Sequence, residues 1–126
     1  MIVIDTSVLI GALTGLKRSG LAVRTALDEG EPILLPALVL YEWLRGPRIA
    51  EELALQESLF PAEAAIPFDK EQAKVSADLY RAVRRARTRE VDLAIAACAL
   101  VHDARLWTLN PADFQDVPGI RLYGPG

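Results

Sequence analysis

Met1-Ile2-Val3-Ile4-Asp5 opens the chain, and the reading of these five residues decides the fold. A short apolar run rich in β-branched residues reads as a buried strand. The run ends in a carboxylate followed by two hydroxyls, Thr6 and Ser7. In open α/β sheets, ligands sit just beyond the carboxyl ends of the strands, so Asp5 stands where chemistry would be done.

Working outward, residues 7–10 begin a short helix that the glycines at 11 and 15 interrupt. Ser19 caps a second helix with Leu21, Ala22, Val23, Ala26 and Leu27 inside and Gly30 as its stop. Residues 32–35 form a second buried strand, and Pro36 suits the first turn of a helix over 37–45 whose only acid is Glu42. A helix over 48–60 places Ile49, Leu53, Leu55 and Leu59 on one face. Residues 64–68 make a weak strand, with Pro67 at its end or on an edge. Asp69 with Gln72 resembles a capping box opening a helix to about Arg87, with Ala73, Val75, Ala77, Leu79, Tyr80 and Val83 inward. A further helix runs from about Glu90 to Ala104, and strands follow at 105–109 and 120–123. Strands alternating with helices predict a three-layer α/β/α sandwich with a mostly parallel five-stranded sheet, with residues 1–126 as a single domain.

The totals narrow the function classes. With 52% hydrophobic and 25% charged residues, the chain has the balance of an ordinary globular protein rather than a disordered one. A net charge of −3 excludes a polycation that coats nucleic acid, so any such contact comes from a local patch. One cysteine, Cys98, excludes a disulfide framework and a zinc cluster and reads as a core residue. The only histidine, His102, reads as a helix-end surface residue. The longest mostly apolar stretch, 91–101, falls short of the roughly 20 residues a bilayer span needs, and no signal peptide opens the chain. A soluble, cytoplasmic protein is expected.

Three acids share an unusual context. Asp5 ends the first strand, Glu42 lies inside an apolar helix, and Asp92 opens the most apolar helix of all. Burying an unpaired carboxylate is unfavourable, so something must compensate each of them. Arg45 can pair with Glu42 on the helix surface, but no Arg or Lys lies within a helical turn of Asp5. One divalent cation would compensate all three. Mg²⁺ or Mn²⁺ is the natural candidate, because these hard ions take carboxylate and water oxygens and need no histidine or thiolate. Such a site points to phosphodiester hydrolysis. Taken singly, Asp5 and Asp92 also read as helix N-caps, and Glu42 as an exposed partner of Arg45. The agreement among the three favours a site.

At this point the chain resembles the PIN-domain ribonucleases, in particular the VapC-type toxins of bacterial toxin–antitoxin pairs, over nearly its whole length. Residues Val3-Ile4-Asp5-Thr6-Ser7-Val8-Leu9 are similar to that family's first motif, and Leu40-Tyr41-Glu42-Trp43-Leu44-Arg45-Gly46 to its second. Val91-Asp92-Leu93-Ala94-Ile95-Ala96-Ala97 is similar to the third motif, and Trp107-Thr108-Leu109-Asn110-Pro111-Ala112-Asp113-Phe114 to the closing one. The resemblance implies metal-ligand roles for Asp5, Glu42 and Asp92. The family's fourth acidic position falls on Asn110 here, with Asp113 three residues later able to substitute. Thr6, Ser7 and Thr108 could hold the metal shell or phosphate oxygens. The implied chemistry is water attack on an RNA phosphodiester, with Asp92, Asp113 or a metal-bound hydroxide as base. The implied partners are a second copy of the chain, in a homodimer, and an antitoxin that occludes the acidic pocket. Apolar residues in excess of one buried face at Leu38, Tyr41, Trp43 and Leu44 fit such contacts.

Five arginines, at 81, 84, 85, 87 and 89, crowd into nine positions just before Asp92. Arg81, Arg84 and Arg85 have the spacing of one helical face, and together with Arg89 they are candidates for RNA phosphates. The plainer alternative is a solvated helix end complementing the helix dipole. Two other functions compete. A haloacid-dehalogenase-type phosphatase also begins from a strand-end Asp, but needs an acid two residues later, where Ser7 stands. A catalytically weak RNA-binding or scaffold module is the non-enzymatic alternative, and retention of the three acids argues against it.

Overall fold

The computed structural model describes residues 1–15 and 19–124. At its centre lies β1, Ile2–Ile4, flanked by β2, Ile33–Leu34, and β3, Arg105–Trp107. Both neighbours run parallel to β1, with Val3 opposite Leu34 on one side and Leu106 on the other. Successive strand residues face opposite sides of a sheet. Because Ile2, Val3 and Ile4 are all fully buried, both faces of the sheet are covered.

Six helices supply the cover among the described residues: α1, Thr6–Leu13; α2, Gly20–Asp28; α3, Ala37–Arg45; α4, Ala50–Leu59; α5, Lys70–Ala82; and α6, Glu90–Val101. The most apolar helix, α6, is buried from Leu93 through Ala99 and packs along α5 and against β1 and β3. None of these helices is long and apolar enough to cross a membrane. Cys98 lies in this core, where burial pushes its thiol up to about 12 and leaves it inert.

Among the described residues the sheet has three strands, not the five expected. Residues 64–68 contribute one parallel bridge, Pro36 to Ile66, and residues 120–123 one more, Leu106 to Leu122. Pro67 has no N–H with which to extend the first, and residues 62–64 coil into a 3₁₀ turn instead. Helix boundaries shift for local reasons. Gly11 does not interrupt α1. It lies inside the helix, which ends at Leu13 between the two glycines, and a Cβ at Gly11 would stand 2.9 Å from the Ser19 hydroxyl. That hydroxyl donates to the Val8 carbonyl rather than capping α2. Gly30 does stop α2, with a φ of 78° that suits glycine. Asp69 caps α5 through the Gln72 amide at 3.0 Å, but the helix ends at Ala82, well before Arg87.

Several faces also differ from expectation. Leu21 is 80% exposed, Ile49 and Leu53 point outward while Gln56 is buried, and Ala73, Ala77 and Tyr80 on α5 meet solvent. Gln56 replaces an apolar residue because its amide donates to the Phe60 carbonyl at 2.9 Å and closes α4. His102 is half-buried at the end of α6 rather than on the surface.

Candidate active site

Each acid reaches the carboxyl edge of the sheet by its own route. Asp5 continues the ladder of β1, its amide donating to the Trp107 carbonyl at 3.0 Å. Its carboxylate then caps α1, accepting from the Val8 amide at 3.3 Å and from the Ser7 hydroxyl. The residue is 5% exposed. Burial pushes its pKa up, and hydrogen bonds from the Ser7 and Thr108 hydroxyls and the Val8 amide offset only part of that rise. Among the described residues no Arg or Lys forms an ion pair with it.

The hydroxyls bind the two strand exits together. Ser7 donates to Asp5 and accepts from the Leu109 amide at 3.0 Å, while Thr108 accepts from the Asn110 amide at 3.0 Å. Thr6 donates to Glu42 at 2.5 Å and so brings α3 to the end of β1. Arg45 also reaches Glu42, at 3.2 Å from its exposed position. Exposed pairs of this kind contribute little.

Asp92 lies in the first turn of α6, where the helix dipole favours a negative charge. Its pKa is nonetheless raised. Burial is the main cause, then the negative charges of Asp5, Glu42 and Asp113 in that order, with Arg89 opposing. Four acids from four separate segments thus share one field. Asp113 enters it from a 3₁₀ turn, Pro111–Phe114, which is anchored by buried Phe114, and Asn110 precedes that turn. The charge of Asp113 acts on Asp92, whereas Asn110 carries none and is exposed at the start of the same turn.

Among the described residues, no three acids close on one point as they stand. Asp5 is turned toward Val8 and Ser7, and Glu42 toward Thr6 and Arg45. The donor set is all oxygen, and the charges of Asp5 and Asp92 are opposed by burial. Such a set fits a hard divalent cation of the Mg²⁺ or Mn²⁺ kind. A cleft of roughly 340 Å³ opens beside it, lined by Glu42, Asp92 and the 87–91 segment.

The arginines do not share one helical face. Arg81 is on α5 and pairs with exposed Asp78, whereas Arg84 and Arg85 lie beyond the helix. Arg85 adopts a left-handed φ of 53°, which turns the chain into the 3₁₀ segment Ala86–Thr88. Arg87 lines the cleft, a role its position in the sequence did not single out. The terminal nitrogens of Arg89 are taken by protein acceptors, Asp116 among them. Asp116 is the residue that sequence reasoning missed, because nothing links positions 27 apart until the chain folds.

A family profile described as PIN domain matches residues 2–120. Ribonuclease VapC19 of Mycobacterium tuberculosis is 32% identical over 123 residues, spanning 96% of this chain and 98% of its own. Ribonuclease VapC1 of Rickettsia felis is 30% identical over 132 residues, spanning 96% and 93%. In the crystal structure of Rickettsia felis VapBC2 bound to a promoter DNA fragment, one chain superposes with a TM-score of 0.74 at 19% identity, over 98% of both chains.

Proposed function

This chain belongs to the PIN-domain family, and from that premise we propose that it is a metal-dependent endoribonuclease serving as the toxin of a toxin–antitoxin pair in the cytoplasm. The observation that carries the reading is the placement of buried Asp5 at the end of β1 together with Glu42 and Asp92 on the wall of one cleft, where burial and the neighbouring acids raise the pKa of Asp92. An acidic cluster held at a cost to the fold is the arrangement a hydrolytic site needs and a scaffold does not.

Asp5, Glu42 and Asp92 would hold Mg²⁺ or Mn²⁺, with Asn110 or Asp113 completing the set. When bound, such an ion activates water and offsets charge on the phosphate. The chain's own groups do the rest. Ser7 and Thr108 hold the Asp5 carboxylate from the strand side, and Thr6 orients Glu42. Water adds to phosphorus as the bond to the leaving ribose oxygen breaks, and a carboxylate takes the water proton. Asp113 suits that last task because it is exposed beside Asp92 and its carboxylate has no hydrogen-bond partner among the described residues. Arg84 and Arg85, and Arg81 beside its partner Asp78, stand exposed ahead of the 87–91 rim and would meet RNA phosphates there. Exposed Tyr41, Leu44, Ile49 and Leu53 on and between α3 and α4 offer an apolar surface to an antitoxin or a second copy of the chain.

The test is incubation of purified, antitoxin-free protein with total RNA in Mg²⁺ or Mn²⁺, beside EDTA and Asp5→Asn. Discrete products that disappear in both controls establish the nuclease. Intact RNA in every lane moves the function to an RNA-binding module.

A further inference from the structure

Arg89 stands where three segments meet. It is the residue before α6, and its carbonyl accepts from the Leu93 amide at 2.9 Å. Its side chain is 17% exposed, the most enclosed cation among the described ion pairs. Nη1 donates to Asp116 Oδ2 and to the Arg84 carbonyl, each at 2.9 Å. Nη2 donates to Asp116 Oδ1 at 2.7 Å and to the Asp113 carbonyl at 2.8 Å. The planar guanidinium fork thus meets one carboxylate with both arms and a backbone carbonyl with each.

We propose that Arg89 is a positioning residue that, locked by Asp116, holds the turn carrying Asp113 against the start of the helix carrying Asp92. The proposal rests on the ribonuclease reading for its consequence, though not for its geometry. Asp113 has few other restraints: its amide donates to Asn110 within its own turn, and Phe114 anchors that turn from below. The bond from Nη2 to the Asp113 carbonyl adds a direct tie between that turn and the residue before α6. On the opposite side, the left-handed residue Arg85 directs the Arg84 carbonyl to the same guanidinium. A left-handed backbone at a non-glycine residue is unfavourable, and it persists only where the surroundings hold it. Arg89 shares that task with Thr88, whose amide and hydroxyl both donate to the Arg85 carbonyl. A bidentate phosphate contact would require the guanidinium to give up some of these acceptors, since only Nε is not engaged by them, whereas Arg87, on the cleft wall, has no such commitments among the described residues.

Asp116→Asn is the informative variant. It breaks the fork while leaving the positive charge of Arg89 in place. Two readouts are needed, hydrogen exchange of the amides from 110 to 117 and steady-state cleavage of a short RNA. The expected result is exchange at least tenfold faster across 110–117 and a kcat about tenfold lower, with KM within twofold of wild type. Arg89→Lys should behave alike, and Asp116→Glu should restore most of both. Unchanged exchange in Asp116→Asn overturns the proposal, as does an Arg89→Ala variant that raises KM and leaves kcat intact. If the wild-type protein cleaves no RNA, the ribonuclease reading fails while the exchange measurement still judges the clamp.

Discussion

The acids at the sheet edge and the arginines beside them contain similar numbers of charges and could hardly be held more differently. Asp5 emerges directly from a strand whose three residues are fully buried, and Asp92 lies in the first turn of a helix buried over seven consecutive residues. Neither acid can move away without disturbing that core, so burial and mutual repulsion persist in the folded state. Arg81, Arg84, Arg85 and Arg87 are exposed, and the three of them that follow α5 have left the helix altogether. Charges held against a cost by a rigid core mark a site. Charges free to turn in solvent mark at most a surface that draws an anion toward it. Arg89 is the exception that shows the rule, because it sits in the arginine-rich segment and is held like an acid.

That contrast can be broken most decisively at the acids. Asp5→Asn keeps the cap on α1, since Asn caps as well as Asp, and Asp92→Asn keeps the volume. Either change should cut RNA cleavage by roughly two to three orders of magnitude, read as initial rates on an oligoribonucleotide. A loss of less than tenfold in both would mean that the buried charges are structural.

The core that holds them can be weakened next. Trp107 is buried at the end of β3, with its ring 4.8 Å from that of Tyr123, and its backbone carbonyl receives the Asp5 amide. Trp107→Ala should destabilise the fold by about 3–5 kcal/mol in denaturant titrations. A loss under about 1 kcal/mol would show that the strand exit is not supported from beneath.

A smaller effect, of opposite sign, sharpens the comparison. Asp5 and Asp92 bind their protons more tightly in the folded chain than in the unfolded one. The folded state therefore carries more protons as pH climbs through the carboxylate range, and stability falls with rising pH across it. Asp92→Asn removes its share of that loss. Thermal melts over a pH series should find the variant more stable than wild type at neutral pH, with the two converging in acid below the carboxylate range. Equal stability at neutral pH would mean that another group in the chain already compensates the charge.

The smallest change is expected at the exposed arginines. Arg84→Ala should weaken RNA binding a few-fold whatever the sequence, and lower the magnitude of the salt slope by about one. Its thermal midpoint should stay where it is, because surface substitutions move stability by less than about 0.5 kcal/mol.

Much of this could be read along the chain, wherever one segment carries its own information. An uninterrupted apolar run ending in Asp5 specified a buried strand and its functional edge, Pro36 and Gly46 bounded α3, and Asp69 with Gln72 marked the start of α5. The three acids stood out because each was charged in an apolar context, which is a property of neighbours in sequence. What depended on distant partners was not legible. Nothing in residues 64–68 or 120–123 says that each will make one bridge instead of a strand, since ladder length depends on the edge it meets. Ser19 had the right residue type for a cap, yet its hydroxyl found the Val8 carbonyl because α1 passes close by. In sequence Arg89 reads as one of several candidate RNA contacts and Asp116 as an ordinary surface charge. Only the fold, by bringing the start of α6 beside the turn after β3, made them one bidentate pair. Apolar pattern and local capping are encoded within a few residues, whereas electrostatic partnership is decided by where the packed core leaves each charge, and only tertiary structure supplies that.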